Sequence, residues 1–469
     1  MGQKNTINKQ QVEMLSLDQL VPENHLVRKL EKAINLNFVY NLVKDLYAPY
    51  GTPSIDPIVL IKINIIQYTF GIRSMRQTIR EMEVNNAYRW YIGYGLSEAI
   101  PHFSTFSKNY TRRFAGTTLF EEIFQMVIAE IMNHGFIDTE NVFIDGTHIK
   151  ANANNYKYQK AIVEKSAKFY ANELEKEIAK DREEHGKRPL KDNNDDDDNN
   201  PPETKEIKQS RTDPESGVFH KGEHKKVFAY TANVACESNN FILAFETTPG
   251  NLHDSAVFPL VYNKVKEKFK DIKNIVVDAG YKIPAIAKMI IDDGKNPIMP
   301  YKRPMTKQGF FKKYEYAYDE YYDCYICPNN QVLSYTTTNR EGYKEYKSNP
   351  QKCKSCQFVE QCTQSKNHTK VICRHVWEEY LEQTEDIRHS NGSKEIYAKR
   401  SQTIERVFAD AKELHGMRYA KHRGLAKFNM ELNLLFACMN LKKLAIKLSR
   451  GRSFPFNFFV FRIVVVNFC

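Results

Sequence analysis

Residues 141–154 read "NVFIDGTHIKANAN", in which a short apolar run leads directly to Asp145 and then to a glycine. The same pattern recurs in residues 273–281, "KNIVVDAGY", where three apolar residues precede Asp278. Apolar runs of this length beside turn residues are typical of buried β-strands. Each pattern predicts a strand that ends at an aspartate. Two such strands predict carboxylates that converge at one edge of a sheet.

The residues around these strands predict an α/β fold. "KVFAYTANVACE" (226–237) and "FILAFETTPG" (241–250) are typical of a hairpin with a turn at residues 237–240. Helical patterns over 251–269 and 283–294 and a short strand at 296–300 then alternate along the chain. This order predicts a mixed sheet flanked by helices. We assign residues 136–302 to the first part of this domain.

Residues 1–135 predict an all-helical domain. "DPIVLIKINIIQYTFG" (56–71) has Asp56 as N-cap and Pro57 at the first helical position, and it is apolar on nearly every face. "STFSKNYTRRF" (104–114) has one apolar face and one basic face, formed by Lys108, Arg112 and Arg113. Such a helix is compatible with helix-turn-helix DNA binding. The alternative is an ordinary solvated helix face.

Three further segments complete the predicted organisation. Residues 161–216 are charged, then acidic and proline-containing, and predict a helical arm followed by a disordered loop. Residues 303–390 form a cysteine-bearing insertion. Residues 391–450 return to helix: "YAKRSQTIERVFADAKELHG" (397–416) predicts a continuous helix, and an apolar helix after it is expected to pack on the sheet.

Composition indicates a globular protein with a polyanionic partner. Lys and Arg exceed Asp and Glu by 68 to 57, for a formal net charge of +11. Cations placed on phosphates release condensed counterions, so this surplus suits nucleic acid. No signal-peptide pattern begins the chain, and the apolar tail at 451–469 is interrupted by polar residues. We therefore expect a cytoplasmic protein that has no membrane partner.

Three carboxylates are candidates for metal chemistry. Asp145 and Asp278 are joined by Glu405, which lies on the predicted helix at 397–416. Clustered carboxylates repel one another unless a cation lies among them, and Mg²⁺ prefers oxygen ligands. Two such ions would activate a nucleophile and stabilise a leaving oxygen. Asp254 is interpreted as a helix N-cap or as a further acid of the site, and His148 as a structural or a catalytic histidine.

Five of the nine cysteines lie within one short segment: Cys324, Cys327, Cys353, Cys356 and Cys362. Two Cys-x2-Cys pairs have the spacing of a zinc ribbon, and a tetrahedral site takes four ligands. The alternative is a set of unpaired cysteines in a reduced loop.

The motifs "FIDGTHIKANAN", "VVDAGY" and "RSQTIERVFADAKELHGMRYAKHRG" together resemble the three acidic motifs of DDE transposases from bacterial insertion sequences. The resemblance extends over nearly the whole chain. It implies a ribonuclease H-like catalytic domain, a helical N-terminal domain and a small zinc-ribbon-like insertion before the glutamate. It also implies that Asp145, Asp278 and Glu405 bind two Mg²⁺ or Mn²⁺ ions.

The resemblance implies roles for further residues. Many relatives have the pattern Tyr-x2-Arg-x3-Glu-x6-Lys around the glutamate, which Tyr397, Arg400 and Lys412 match except that four residues separate Arg400 from Glu405. Arg406 is therefore a rival to Arg400 for the DNA contact. The relatives' cysteine pattern favours a structural Zn²⁺ held by Cys327, Cys353, Cys356 and Cys362, with Cys324 as an alternative ligand.

The predicted function is metal-dependent DNA strand cleavage and strand transfer at the ends of an insertion sequence. The partners implied are double-stranded DNA, both element ends and target, and a second copy of the chain, in the bacterial nucleoid. One alternative is a ribonuclease H-like nuclease that does not join strands. Another is a catalytically inactive DNA-binding protein. Strand-transfer activity distinguishes the first two.

Overall fold

The computed structural model describes residues 12–48, 50, 54–164, 169–190, 204–221, 225–303 and 305–451. These residues form two compact units. Unit 1 contains the described parts of Met1–Ile137, Ile149–Asn152 and Arg406–Cys469, and unit 2 contains those of Asp138–His148 and Ala153–Glu405. Asp145, Asp278 and Glu405 thus all belong to unit 2.

Unit 1 is built from helices. The N-terminal ones are α1 Leu17–Leu20, α2 Leu26–Ala33, α3 Phe38–Val43, α4 Pro57–Thr69, α5 Met75–Val84, α6 Asn86–Ile92, α7 Ser104–Asn109 and α8 Leu119–Asn133. The predicted start of α4 is confirmed, because the Asp56 side chain accepts a hydrogen bond from the backbone N–H of Ile58. A π-helical turn, Tyr110–Phe114, continues directly from α7, and the predicted apolar stripe over both is confirmed, since Phe106, Tyr110 and Phe114 are buried.

Unit 2 contains a mixed sheet between helices. Its elements are β1 Asn141–Lys150, β2 Tyr158–Glu164, α9 Ala171–Glu184, β3 Thr204–Ser210, β4 Gly217–Lys221, β5 Lys225–Glu237, β6 Ile242–Pro249, α10 Asp254–Lys268, β7 Asn274–Val276, α11 Pro284–Asp292 and β8 Asn296–Ile298. The strand order is β4-β5-β1-β7-β8, with β6 paired to β5. The predicted hairpin is confirmed by the antiparallel β5–β6 pairing.

The predicted insertion forms a sheet of its own. Its elements are β9 Ala317–Asp319, β10 Cys324–Ile326, β11 Val332–Thr338, β12 Tyr343–Ser348, α12 Pro350–Lys354, α13 Val359–Cys362, β13 Val371–His375 and α14 Glu378–His389. The five strands pair in the order β13-β12-β11-β10-β9. Tyrosines dominate the core of this sheet, together with Leu333 and Ile372.

The charged segment at 161–216 has more structure than the sequence predicts. The helical arm is confirmed as α9, but β2 and β3 also form a two-stranded antiparallel ribbon, which was not predicted. Strand pairing satisfies backbone groups without an apolar core, which is why composition did not reveal it. The acidic run lies in residues 191–203, outside the described residues.

Buried contacts anchor α9 to the insertion sheet. Leu174 and Ile178 pack with Ala285 and Trp377. Asp181 is 5% exposed, forms an ion pair with Lys344 and accepts a hydrogen bond from Thr338. The arm is therefore held by a buried face, and only part of its charge is solvated.

The predicted continuous helix over 397–416 is wrong. The chain forms α15 Ser393–Ala398, a 3-10 turn over Lys399–Gln402 and then α16 Ile404–Leu414. Thr403 separates the turn from α16, with φ −111° and ψ −99°, values outside the helical region. Ile404, Val407, Phe408 and Ala411 are buried as predicted, whereas Leu414 is 52% exposed because it is the last residue of α16.

The last helix is α17, Leu425–Ser449. The sequence predicted that it packs on the sheet, but its main contacts are with α2, α4 and α8. Because α17 is apolar on nearly all faces, its sequence specifies burial without specifying a partner. No helix among the described residues is long and apolar enough to cross a membrane. The apolar tail at 452–469 lies outside the described residues.

A buried histidine makes unit 1 sensitive to acid. His415 is 4% exposed, and its Nδ1 donates to the backbone carbonyl of Tyr68 at 2.8 Å. Burial lowers the pKa of His415 from 6.5 to about 4; the hydrogen bond to Tyr68 opposes this shift, and the positive charges of Lys442 and Lys443 add to it. Below pH 6.5 the unfolded chain therefore binds a proton that the folded chain excludes.

We expect His415→Gln to remove part of the acid sensitivity of unit 1. In the wild type, protonation of His415 in the unfolded chain should lower the free energy of unfolding by roughly 3 kcal/mol as the pH falls from 6.5 to 4. Above pH 6.5 it should have no effect. Chemical unfolding of both proteins across this range measures the difference, with the exposed His102→Gln as control. Parallel wild-type and His415→Gln curves would contradict the prediction.

Candidate active site

The two predicted strand aspartates lie on neighbouring parallel strands. The register of β1 and β7 pairs Asn141 with Asn274 and Phe143 with Val276. Extending this register by two residues brings Asp145 level with Asp278. The apolar residues that precede each aspartate are fully buried, as expected for strands inside a parallel sheet. The predicted convergence of two carboxylates at this edge is confirmed.

Asp145 is not at the end of its strand, which corrects the sequence prediction. β1 continues to Lys150, whereas β7 ends at Val276. Asp278 lies two residues after the end of β7 and starts a 3-10 turn. Its Oδ1 accepts a hydrogen bond from Gly280 N at 2.7 Å and so caps the turn Ala279–Tyr281. Asp145 has no such turn after it: its Oδ1 accepts from the N–H of Gly146 at 2.8 Å within an extended strand.

A third aspartate, Asp254, lies against β1. A Cβ at Gly146 would be 2.6 Å from Asp254 Oδ1 and 3.0 Å from Asn233 Oδ1, so only glycine leaves room for these side chains. Asp254 is not the N-cap of α10, as the sequence had suggested, because the His253 side chain accepts the capping hydrogen bond from Ser255. Among the described residues, Asp254 Oδ1 and Asn233 Nδ2 are buried and lack a hydrogen-bond partner.

Two of the three aspartates, Asp145 and Asp254, have raised pKa values. Burial raises the pKa of Asp145 to about 6; Arg400 opposes this shift, and the negative charges of Asp278 and Asp254 add to it. Burial also raises the pKa of Asp254, and Asp278 again adds to the shift. Negative charge at this edge is therefore unfavourable without a cation, as expected for a cluster of carboxylates.

Arg400 is the cation that contacts this cluster. Its Nη2 lies 2.6 Å from Asp145 Oδ2, and the side chain is largely buried. The Arg400 Nη1 also donates to the Tyr397 hydroxyl at 3.3 Å. The 3-10 turn over Lys399–Gln402 is what turns Arg400 inward, because it changes the helical phase between α15 and α16.

Glu405 does not complete a metal site with the two aspartates. It is exposed at the start of α16, directly after the Thr403 break. In the part of the chain that the structure describes, no group of three or more His, Cys, Asp or Glu side chains is arranged to hold a metal ion. Asp278 and Asp254 act electrostatically on Asp145, and the Glu405 side chain is exposed on α16.

Comparisons with known proteins match two parts of the chain to transposase families. A family model described as "Transposase DDE domain" matches residues 326–445, and one described as "Transposase domain (DUF772)" matches residues 15–112. The two matches indicate a DDE-type insertion-sequence transposase. Its function is DNA transposition, with nuclease and transesterase activity on DNA. The matched ranges include Glu405 but neither Asp145 nor Asp278.

Two further comparisons add little to this family assignment. A solved structure of a piggyBac transposase synaptic complex with hairpin DNA is similar, with a TM-score of 0.33 and 8% sequence identity. That similarity covers 92% of this chain and 78% of the other. The comparison with curated proteins found no match.

The predicted DNA-binding cations of the transposase differ in their surroundings. Lys108 and Arg112 are exposed on α7 and the turn after it. Arg113 donates to Asn109 Oδ1, and its guanidinium lies 4.5 Å from the centre of the Tyr47 ring, so internal contacts restrict it. Arg406 forms a 2.9 Å ion pair with Asp410, and Lys412 is half-buried on α16.

Four of the five clustered cysteines line one small cavity in the insertion. Cys327, Cys353, Cys356 and Cys362 surround a volume of about 20 Å³, whereas Cys324 is buried in strand β10 and does not line it. The Cys327 sulfur accepts from Gln331 N at 3.3 Å, and Asn329 Nδ2 donates to the Cys356 sulfur at 3.5 Å. Burial raises the pKa of the Cys362 thiol.

Sequence reasoning identified Asp145 and Asp278 but undervalued two neighbours. Asp254 and Asn233 had no motif of their own; the only signal was "NLHD" just before a helix, which also fits an N-cap. His148 is explained by structure, because its ring stacks on Phe219 with centroids 3.5 Å apart. The structural interpretation of His148 is the better one.

We expect Gly146→Ala to destabilise the transposase by about 1–3 kcal/mol, because the added methyl group overlaps the Asp254 carboxylate. Thermal unfolding measures the effect. Gly95→Ala is the matched control, since the nearest atom to its new Cβ lies 3.9 Å away. Equal unfolding midpoints for Gly146→Ala and the wild type would show that Asp254 does not depend on this glycine.

Proposed function

We propose that the transposase cleaves and rejoins DNA strands at the ends of its insertion sequence, with Asp145, Asp278 and Glu405 as ligands of the catalytic metal ions. The observation that carries the proposal is the parallel register of β1 and β7, which brings the two aspartates level at one sheet edge. Proteins keep such unfavourable pairs of carboxylates where a cation is to be bound.

The strand order supports a ribonuclease H-like catalytic domain. An antiparallel hairpin, β5 and β6, lies on one side of β1, and two short parallel strands, β7 and β8, lie on the other. Asp145 then lies on the central strand β1, and Asp278 follows its parallel neighbour β7. This arrangement agrees with the fold that the family resemblance implies.

The donor set fits Mg²⁺ or Mn²⁺. The carboxylates of Asp145, Asp278 and Asp254 supply hard oxygen ligands, and the unpartnered Asp254 Oδ1 is an acceptor that the protein itself leaves unsatisfied. Bound ions would activate the attacking oxygen and stabilise the departing one at a phosphodiester. Asn233 restrains Asp254 by packing beside it at Gly146.

Arg400 and Glu405 have complementary roles in this proposal. Arg400 holds the Asp145 carboxylate and lowers the repulsion at the sheet edge before ions bind. Glu405 is exposed, so its carboxylate is available to ions that arrive together with DNA. We infer that binding of ions and DNA brings Glu405 to the two aspartates and releases Arg400 to a DNA phosphate.

DNA recognition is assigned to the basic face of α7. Lys108 and Arg112 are its exposed cations, and Arg113 is a weaker candidate because Tyr47 and Asn109 already contact it. Arg406 and Lys412 remain candidates for contacts near the cleaved strand. Since an insertion sequence has two ends, we expect two copies of the chain to act together, and sedimentation of the DNA complex tests this stoichiometry.

We assign a structural Zn²⁺ to Cys327, Cys353, Cys356 and Cys362. Their shared cavity supports this set over one that includes Cys324. Hydrogen bonds from Gln331 and Asn329 to two of the sulfurs are of the kind that stabilises metal-bound thiolates. The thiols would lose their protons on binding, so the metal affinity should fall at low pH.

The catalytic assignment predicts that Asp145→Asn, Asp278→Asn and Glu405→Gln each slow Mg²⁺-dependent nicking of a cognate end by about 100-fold or more, a loss of at least ~2.7 kcal/mol in transition-state stabilisation. End binding should remain, since these changes remove no cation. The substrate is a duplex that carries the DNA flanking the gene, and a strand-transfer assay with the same duplex tests joining.

Matched variants make the assignment specific. Asp410→Asn, on the same helix, should nick normally. The double variant Lys108→Ala, Arg112→Ala should lose end binding but keep its affinity for Mn²⁺. If Glu405→Gln nicks at the wild-type rate while Asp410→Asn is inactive, the wrong acid has been chosen on α16.

The zinc assignment predicts one Zn²⁺ per chain in metal analysis of the purified protein. Cys353→Ser or Cys356→Ser should remove it and expose residues 305–390 to proteolysis, because a small sheet with few core residues depends on added cross-links. Cys324→Ser and Cys373→Ser are the controls and should keep the metal. Zinc-free protein with an equally protease-resistant insertion would disprove the assignment.

A further inference from the structure

Unit 1 contains a cavity of about 780 Å³ whose lining residues, apart from Lys412, have no functional role assigned above. It lies between α4, α5, α7 and the segment from Lys412 to His422, and all of its lining residues belong to unit 1. Its volume is in the range of cavities that bind small organic ligands.

Two polar side chains line the floor of the cavity, although the helix that carries them is mostly apolar. Helix α4 consists mostly of buried Ile, Val and Leu, yet Asn64 and Gln67 are only 2% and 3% exposed and both line the cavity. They are three residues apart and so lie on the same side of the helix. Burying carboxamides is costly unless they are hydrogen-bonded, and Asn64 donates to the Leu60 carbonyl at 2.8 Å. Asn64 is thus satisfied in part within its own helix, and as lining residues the two carboxamides suit a ligand with hydrogen-bonding edges.

The rim of the cavity is cationic. Its basic lining residues are Arg73, Lys412, Arg418, Lys421 and His422. Glu413 pairs with Arg418, and Glu431 behind the rim pairs with Lys421. Such a rim attracts an anion, and arginine is suited to phosphate.

A buried glutamate fixes part of this rim. Glu431 on α17 is 2% exposed, and its carboxylate accepts hydrogen bonds from Lys421 N at 2.9 Å and from His422 Nδ1 at 3.2 Å. The loop that carries these cations is therefore held in place before any ligand binds. A preorganised loop loses little entropy on binding.

We propose that this cavity binds an unpaired nucleotide of a DNA strand. Its phosphate lies at Arg73 and Arg418, and the edge of its base is hydrogen-bonded by Asn64 and Gln67. Carboxamides pair with base edges, whereas a phosphate alone would need only the rim. The identification of the strand as DNA rests on the function proposed above.

The test is binding of a fluorescein-labelled single-stranded 10-mer to the full chain without added Mg²⁺ or Mn²⁺, measured by anisotropy over a salt series. Gln67→Met should weaken binding at least about fivefold, because it removes a base contact while keeping the volume. Arg73→Ala should reduce the slope of log affinity against log salt by about 0.7. Arg80→Ala, an exposed position on α5 outside the cavity, is the charge-matched control and should affect single-stranded binding less than Arg73→Ala.

Three results would overturn the proposal. In the first, Gln67→Met and Arg73→Ala bind the 10-mer as Arg80→Ala does. In the second, the two variants lose as much affinity for a blunt duplex as for the single strand. In the third, inorganic phosphate competes with the 10-mer as well as a deoxynucleoside monophosphate does. Gln67→Met is expected to fold at least as stably as the wild type, which thermal unfolding checks. Asp145→Asn should bind the 10-mer normally, so failure of the cavity and failure of the catalytic assignment are separate results.

Discussion

The pairing of β1 with β7 is the constraint on which the candidate site depends. Val142, Phe143 and Ile144 are fully buried, so packing on both faces of the sheet holds β1 in this register. The same register holds Asp145 and Asp278 together although their charges repel. The apolar strands therefore supply the free energy that keeps a charged edge in place, and the raised pKa of Asp145 is the electrostatic consequence.

Arg400 relieves part of this repulsion because the helix before Glu405 is interrupted. Five residues of regular helix would place Arg400 and Glu405 about 140° apart on one cylinder. The 3-10 turn and the break at Thr403 allow Arg400 to reach Asp145 while Glu405 begins a new helix at the surface. This explains how the chain accommodates four residues, where three are usual, between the arginine and the glutamate. It also makes the position of Glu405 the adjustable part of the proposed triad.

The cysteine-bearing insertion depends on polar contacts more than on a large core. Asp323 accepts hydrogen bonds from the hydroxyls of Tyr318 and Tyr346 at 2.7 and 2.6 Å, and His185 of α9 contacts its second oxygen at 2.7 Å. The helix that the sequence predicts as a helical arm is thus a structural support for the inserted sheet. A small core joined to its neighbours in this way is the kind of module that a bound metal ion stabilises.

The sequence alone determined the features that depend on local patterns. Caps, apolar stripes and turn residues predicted α4, α7, the β5–β6 hairpin and the two aspartate-bearing strands, because each signal lies within a few residues of chain. The clustered cysteines were recognised in the same way, and the motif resemblance led to the family. Cavity lining then distinguished Cys324 from the other four, because strand pairing buries Cys324 elsewhere.

Tertiary structure alone decided the features that join distant parts of the chain. The approach of Asp254 to Gly146, the ion pair between Arg400 and Asp145 and the packing of α17 on α2, α4 and α8 all link residues far apart in sequence. Hydrophobic periodicity specifies that a face is buried and does not specify what covers it, so α17 was assigned to the wrong partner. The β2–β3 ribbon and the Thr403 break were not predicted for a related reason. Contacts with distant residues determine both the strand pairing and the Thr403 dihedrals, and local composition does not encode such contacts.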